Sequence, residues 1–175
     1  MIKRNWFAAS VPSAGFAALV YGVVVFVGAI SANPAFAQLT IDTARTTPVT
    51  TSEATGSDSV IVESAGAITI DQESAVITVN SDNSIIIQNN GTLTNNSASN
   101  ATGIDFGIPD GGRISDLDFD GRIFLGESDV NLPIGSNNTG IRIGVDGGVG
   151  TLTGNITFEN NASIRVEGDD SIGID

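Results

Sequence analysis

Two hydrophobic patterns divide the chain. From Ala14 to Ile30 (AGFAALVYGVVVFVGAI) every residue is apolar or small, with no polar position to mark a face. From Val60 onward the apolar residues come instead in pairs flanking one other residue: Val60/Val62, Ile68/Ile70, Ile77/Val79, Ile85/Ile87, Ile104/Phe106, Leu117/Phe119, Ile123/Leu125, Ile141/Ile143, Ile156/Phe158, Ile164/Val166 and Ile172/Ile174. Period-two alternation puts both members of a pair on one face of a strand, so each segment predicts a short strand with one buried side. Between the two patterns, residues 38–59 (QLTIDTARTTPVTTSEATGSDS) are rich in Thr and Ser and poor in large apolar side chains. That stretch reads as an extended lead-in.

Strands this short and closely spaced build either a sandwich or a solenoid, and internal similarity separates the two. GTLTNN at 91–96 returns as GTLTGN at 150–155; SNATGIDF at 99–106 returns as SNNTGIRI at 136–143, and a looser DDSIGID stands at 169–175. DLDFDGRIFLGE at 116–127 resembles NITFENNASIRVEG at 155–168 as strand, Asn/Asp/Gly turn, strand. Stacked coils repeat such units because each coil meets similar neighbours above and below, a constraint that a sandwich lacks. Four or five coils are expected after residue 60, with Ile and Val stacking inside, Asn at the turns and side-chain amide ladders between coils.

Composition sharpens the division. Every Lys, Trp, Tyr and Met lies in the first 37 residues, which open MIKRNW and carry no charge between Arg4 and Asp42. Basic start, apolar middle and Pro34 followed by Ala35-Phe36-Ala37 are the three parts of a cleavable signal peptide, with cleavage expected between Ala37 and Gln38; an uncleaved membrane anchor is the rival reading. The remainder holds five Arg against all 20 acids, a charge of −15, compared with −13 for the 175-residue chain. Such a surface argues against nucleic acid as a partner. With neither Cys nor His in the sequence, disulfides, thiol nucleophiles, imidazole bases and ordinary zinc triads are closed.

The leader ending AFA, the I-x-I strands and the phrases N-x-T-G-I and G-T-L-T-x-N together resemble the passenger region of a bacterial autotransporter, the type V secretion family. The resemblance covers the leader and residues 60–175. It implies an all-β, right-handed parallel β-helix (β-solenoid), export-machinery recognition of the signal peptide, and an outer-membrane β-barrel translocator further along a longer chain. The expected role is a surface adhesin or structural protein with a cell-surface or matrix ligand, and the absence of His and Cys from the chain, and of Lys, Tyr and Trp after residue 37, argues against an enzyme. The sequence departs from that plan in having no barrel strands and no polar cap after Ile174. The expectation is therefore an N-terminal passenger piece at the cell surface, outer membrane or outside the cell, or a truncated, periplasmic remnant.

One motif carries explicit chemistry. Asp116, Asp118, Asp120 and Glu127, with Gly121 and Ile123, match the calcium loop D-x-D-x-D-G-x5-E. Its flanks contain Pro and Gly and cannot form the two helices of that loop, while Leu117 and Phe119 alternate with the acids as in a strand. A hairpin-like coil edge is preferred, with calcium the only cofactor retained as an alternative. GGVGTL at 147–152 begins like a second calcium repeat but has Leu152 at the aspartate position. A polysaccharide-active site on Asp118 and Asp120 is the enzymatic rival, with Arg113, Arg122, Arg142 and Arg165 as the basic groups in the coils. The six sequons, at Asn90, Asn95, Asn100, Asn137, Asn155 and Asn161, read as turn asparagines.

Overall fold

A computed structural model describes residues 37–175 apart from 57, 98, 127–134 and 146–149. Its strands follow one another in threes. The first coil is β1 (Leu39–Ile41), β2 (Ala44–Arg45) and β3 (Val49–Thr50); the second is β4 (Ser59–Val62), β5 (Ala67–Ile70) and β6 (Ala75–Val79). The third is β7 (Ser84–Ile87), β8 (Thr92–Asn95) and β9 (Thr102–Ile108), followed by a flanking β10 (Arg113–Ile114). The fourth is β11 (Leu117–Phe119), β12 (Arg122–Leu125) and β13 (Thr139–Val145), with its own flanking β14 (Leu152–Thr153). The fifth is β15 (Ile156–Phe158), β16 (Ser163–Val166) and β17 (Ile172–Ile174).

Corresponding strands of successive coils pair in parallel, giving three five-stranded sheets: β1-β4-β7-β11-β15, β2-β5-β8-β12-β16 and β3-β6-β9-β13-β17. This is a parallel β-helix. All eleven predicted pairs fall within strands, and the registers align them into columns. On the first face Leu39, Val60, Ile85, Leu117 and Ile156 stack in turn, as do Ile41, Val62, Ile87, Phe119 and Phe158. Ile68, Leu93, Ile123 and Ile164 stack on the second, and Ile77, Ile104, Ile141 and Ile174 on the third. Full burial of one such side chain stabilises by about 1.5–3 kcal/mol, and the inner coils repeat it column by column.

Several expectations change. Residues 38–59 are not merely a lead-in, because Leu39, Ile41 and Val49 turn inward and β1–β3 pair with the second coil. Of the two GTLT phrases, residues 92–95 form β8 on the second face, whereas the later copy supplies β14, which pairs only with β10 outside the three faces. Strands β11 and β12 do not pair with each other as a hairpin would; they lie in different sheets on either side of a corner.

The T-G-I phrase does mark one structural position. Thr102 pairs with Thr139, and Thr139 with Ile172, so Gly103, Gly140 and Gly173 stand at the same level of the third face. A Cβ on Gly103 would lie 2.4 Å from the Gly140 carbonyl oxygen and 2.7 Å from Ile123 Cγ2. One on Gly140 would lie 2.4 Å from the Gly173 oxygen and 2.5 Å from Ile164 Cγ2. At Gly103 and Gly140 neither the adjacent coil nor the adjoining face leaves room for a methyl group.

Asparagine serves two purposes. Asn90, Asn100 and Asn137 adopt φ of 70°, 56° and 58° at turns, the left-handed conformation that Asn tolerates better than most residues. Other asparagines turn inward and bond to backbone, rather than to one another as an amide ladder would. Asn95, fully buried between Ile70 and Leu125, donates Nδ2 to the carbonyls of Gln72 and Ser74 and accepts from the Ser97 amide. Asn83 likewise donates to the Thr51 and Ala54 carbonyls of the first coil. Buried amides placed in this way satisfy corner carbonyls that no strand partner reaches.

Candidate functional site

The aspartate motif lies along β11 and the following corner. Leu117 and Phe119 point into the core, leaving Asp116 and Asp118 exposed and Asp120 half-buried on the outer side. Two of these carboxylates hold the next coil: Asp116 Oδ1 accepts from the Asn155 amide at 2.7 Å, and Asp120 Oδ1 accepts from the Asn161 amide and Nδ2, each at 3.0 Å. Asp82 does the same one coil earlier, accepting from the Ile114 amide at 3.2 Å. Acidic side chains at coil edges therefore satisfy backbone N–H groups of the coil stacked on them.

Gly121 also has a packing role. Its Cβ position would lie 2.3 Å from Ile87 Cγ2 and 2.5 Å from the Gly91 oxygen, so the corner touches the coil beneath. Ile123 is buried in β12. The three aspartates thus run along an extended strand instead of curling around a centre, and Glu127 lies outside the described residues. Among the described residues no group of three or more acidic side chains is arranged to hold a metal ion. Residues 147–149 of the second calcium candidate also lie outside the described residues.

Of the expected cleavage site, Ala37 and Gln38 are exposed, and Ala37 exchanges hydrogen bonds with Thr55. The leader before them lies outside the described residues.

A different constellation forms where the third face meets the β10–β14 flank. Arg113 opens β10, and its side chain is only 10% exposed. Nε donates to the Gly107 carbonyl at 2.9 Å, while Nη1 stands 3.9 Å from the Asp82 carboxylate, which is itself 69% exposed. Arg113 lines an open surface cavity of about 370 Å³ together with Thr78, Asn80, Asp105, Gly107 and Pro109. Arg113 also lines a second open cavity of about 280 Å³, with Asp82, Thr151 and Thr153. Asp105 is held by Arg142 of the next coil through Nε at 2.9 Å and Nη2 at 2.6 Å. The sequence singled out Arg113 only as one of several available bases. Its neighbours were not legible, because Thr78, Asp105 and Arg142 belong to three coils brought into one column by register.

No family model, no curated protein and no solved structure matches the chain.

Proposed function

We propose that this chain is the passenger-type β-helix of an exported bacterial surface protein, with a structural or binding role rather than a catalytic one. The observation that carries this reading is the order of parts: an export-type leader followed directly by a regular parallel β-helix. Acids line the outside of the coils, and residues 38–175 contain no Lys, His, Cys, Tyr or Trp. That composition suits a soluble, like-charged surface element and provides few of the side chains that usually perform acid–base or nucleophilic chemistry near neutral pH. Its partners on this reading are the export machinery, a β-barrel translocator and a ligand at a cell surface or in a matrix.

The test is to express the chain in a diderm bacterium and determine the mass and N-terminal sequence of the product outside the inner membrane. A product beginning at Gln38 and recovered outside the inner membrane is expected. A product retaining Met1, or one found only in the cytoplasm, would overturn the reading.

A further inference from the structure

We propose that the cavity beside Arg113 is a binding site for a small acidic sugar, with the guanidinium taking its carboxylate. The proposal goes beyond the surface-protein reading and does not depend on where the protein resides. Arg113 is nine-tenths buried, yet its two nearest acceptors leave it under-engaged: one neutral carbonyl on Nε and one carboxylate at 3.9 Å. No closer partner for it exists among the described residues. A charge so far removed from water is favourable only when paired, and a planar guanidinium is suited to a carboxylate in the fork arrangement. The two flanking acids do not supply that partner. Asp105 is engaged by Arg142, and Asp82 projects into solvent while accepting from the Ile114 amide.

The remaining lining matches the body of a sugar. Thr78 and Asn80 offer hydroxyl and amide groups for ring hydroxyls, and Pro109 adds an apolar wall. A volume of about 370 Å³ accommodates one ring. A neutral sugar lacks an anchor here, since no Tyr or Trp occurs after residue 37 to stack on it. A long polyanion would meet the 20 acids of the chain. A single uronic acid, free or at the end of a glycan, satisfies both conditions.

The test is an NMR titration of the purified full chain, following the Gly107 amide and the Arg113 Nε–H resonances, with D-glucuronate, D-glucose and acetate as separate probes. D-glucuronate is expected to bind with Kd of roughly millimolar order, and glucose and acetate at least about tenfold more weakly. Arg113→Gln should weaken glucuronate about tenfold or more. Because that variant also removes the strut to Gly107, a second one fills the cavity without touching Arg113. A Cβ at Gly107 meets nothing nearer than the Val79 oxygen at 3.9 Å, so Gly107→Val should fold normally and abolish binding. Equal binding of glucose or acetate, no response to glucuronate, or glucuronate binding that survives Gly107→Val would each overturn the proposal.

Discussion

A Gly-Ile pair stands at three matched places on the third face, and its surroundings differ between the inner coils and the last. In β9 and β13 the Thr-Gly-Ile segment puts Ile104 and Ile141 fully inside, with Gly103 and Gly140 pressed against the next coil. In β17 the equivalent Ile174 is 52% exposed, and a Cβ on Gly173 would meet nothing within 4 Å. The other faces of the last coil follow suit: Phe158 and Ile172 are exposed, and Ile156, Ile164 and Val166 only half-buried. Phe158 still packs edge-on against Phe119, ring centres 5.9 Å apart. An I-x-I pair therefore specifies a strand and a facing direction, while the stabilisation it contributes depends on having a coil on each side.

Identical substitutions at matched positions test this most directly. Ile104→Ala should cost about 2–5 kcal/mol, the range for emptying a packed isoleucine site, whereas Ile174→Ala should cost less than about 1 kcal/mol because half of that side chain already meets water. Chemical denaturation of the two variants measures the difference. Equal losses would mean that β17 is covered in solution, and the contrast between inner and last coils would disappear.

Glycine sharpens the same comparison with a smaller effect. Gly140→Ala puts a methyl group 2.4 Å from a backbone oxygen that cannot rotate away, so the two coils must part, at about 1–3 kcal/mol. Gly173→Ala should change stability by no more than about 0.5 kcal/mol. Melting temperatures of the pair decide it. A tolerated Gly140→Ala would remove the physical reason given for the recurring T-G-I.

How much of this could be read beforehand follows from what each strand points inward. Eleven of the twelve strands with two inward hydrophobes were legible, the exception being β1 with Leu39 and Ile41. Strand β8 was not, because its second inward residue is Asn95, whose role depends on carbonyls from the preceding coil. Strands β2 and β3 span two residues each and offer no periodicity, so β1 stands as a single alternating pair in a Thr- and Ser-rich stretch and the first coil reads as a lead-in. Strands β10 and β14 are equally short and lie off the three faces. The Arg113 cavity was hidden for a further reason. Its walls are set by corner lengths, which decide which residues of different coils share a level, and no alternation pattern encodes those lengths.

The smallest expected effect concerns the aspartates, where the coil-edge and calcium readings make opposite demands. As coil-edge acceptors, the three differ: Asp120 receives two hydrogen bonds from Asn161, while Asp118 receives none from the described residues. Asp120→Ala should therefore cost about 0.5–1.5 kcal/mol, and Asp118→Ala no more than about 0.5 kcal/mol. In a calcium loop both are ligands, and losing either would leave intrinsic stability nearly untouched but remove any stabilisation by the ion. Thermal melts of the parent and both variants, with and without calcium at roughly millimolar concentration, separate the cases. The coil-edge arrangement predicts unequal variants and no calcium response. A calcium-dependent rise lost in Asp118→Ala as fully as in Asp120→Ala would instead require this strand to leave its extended path and gather its carboxylates around an ion.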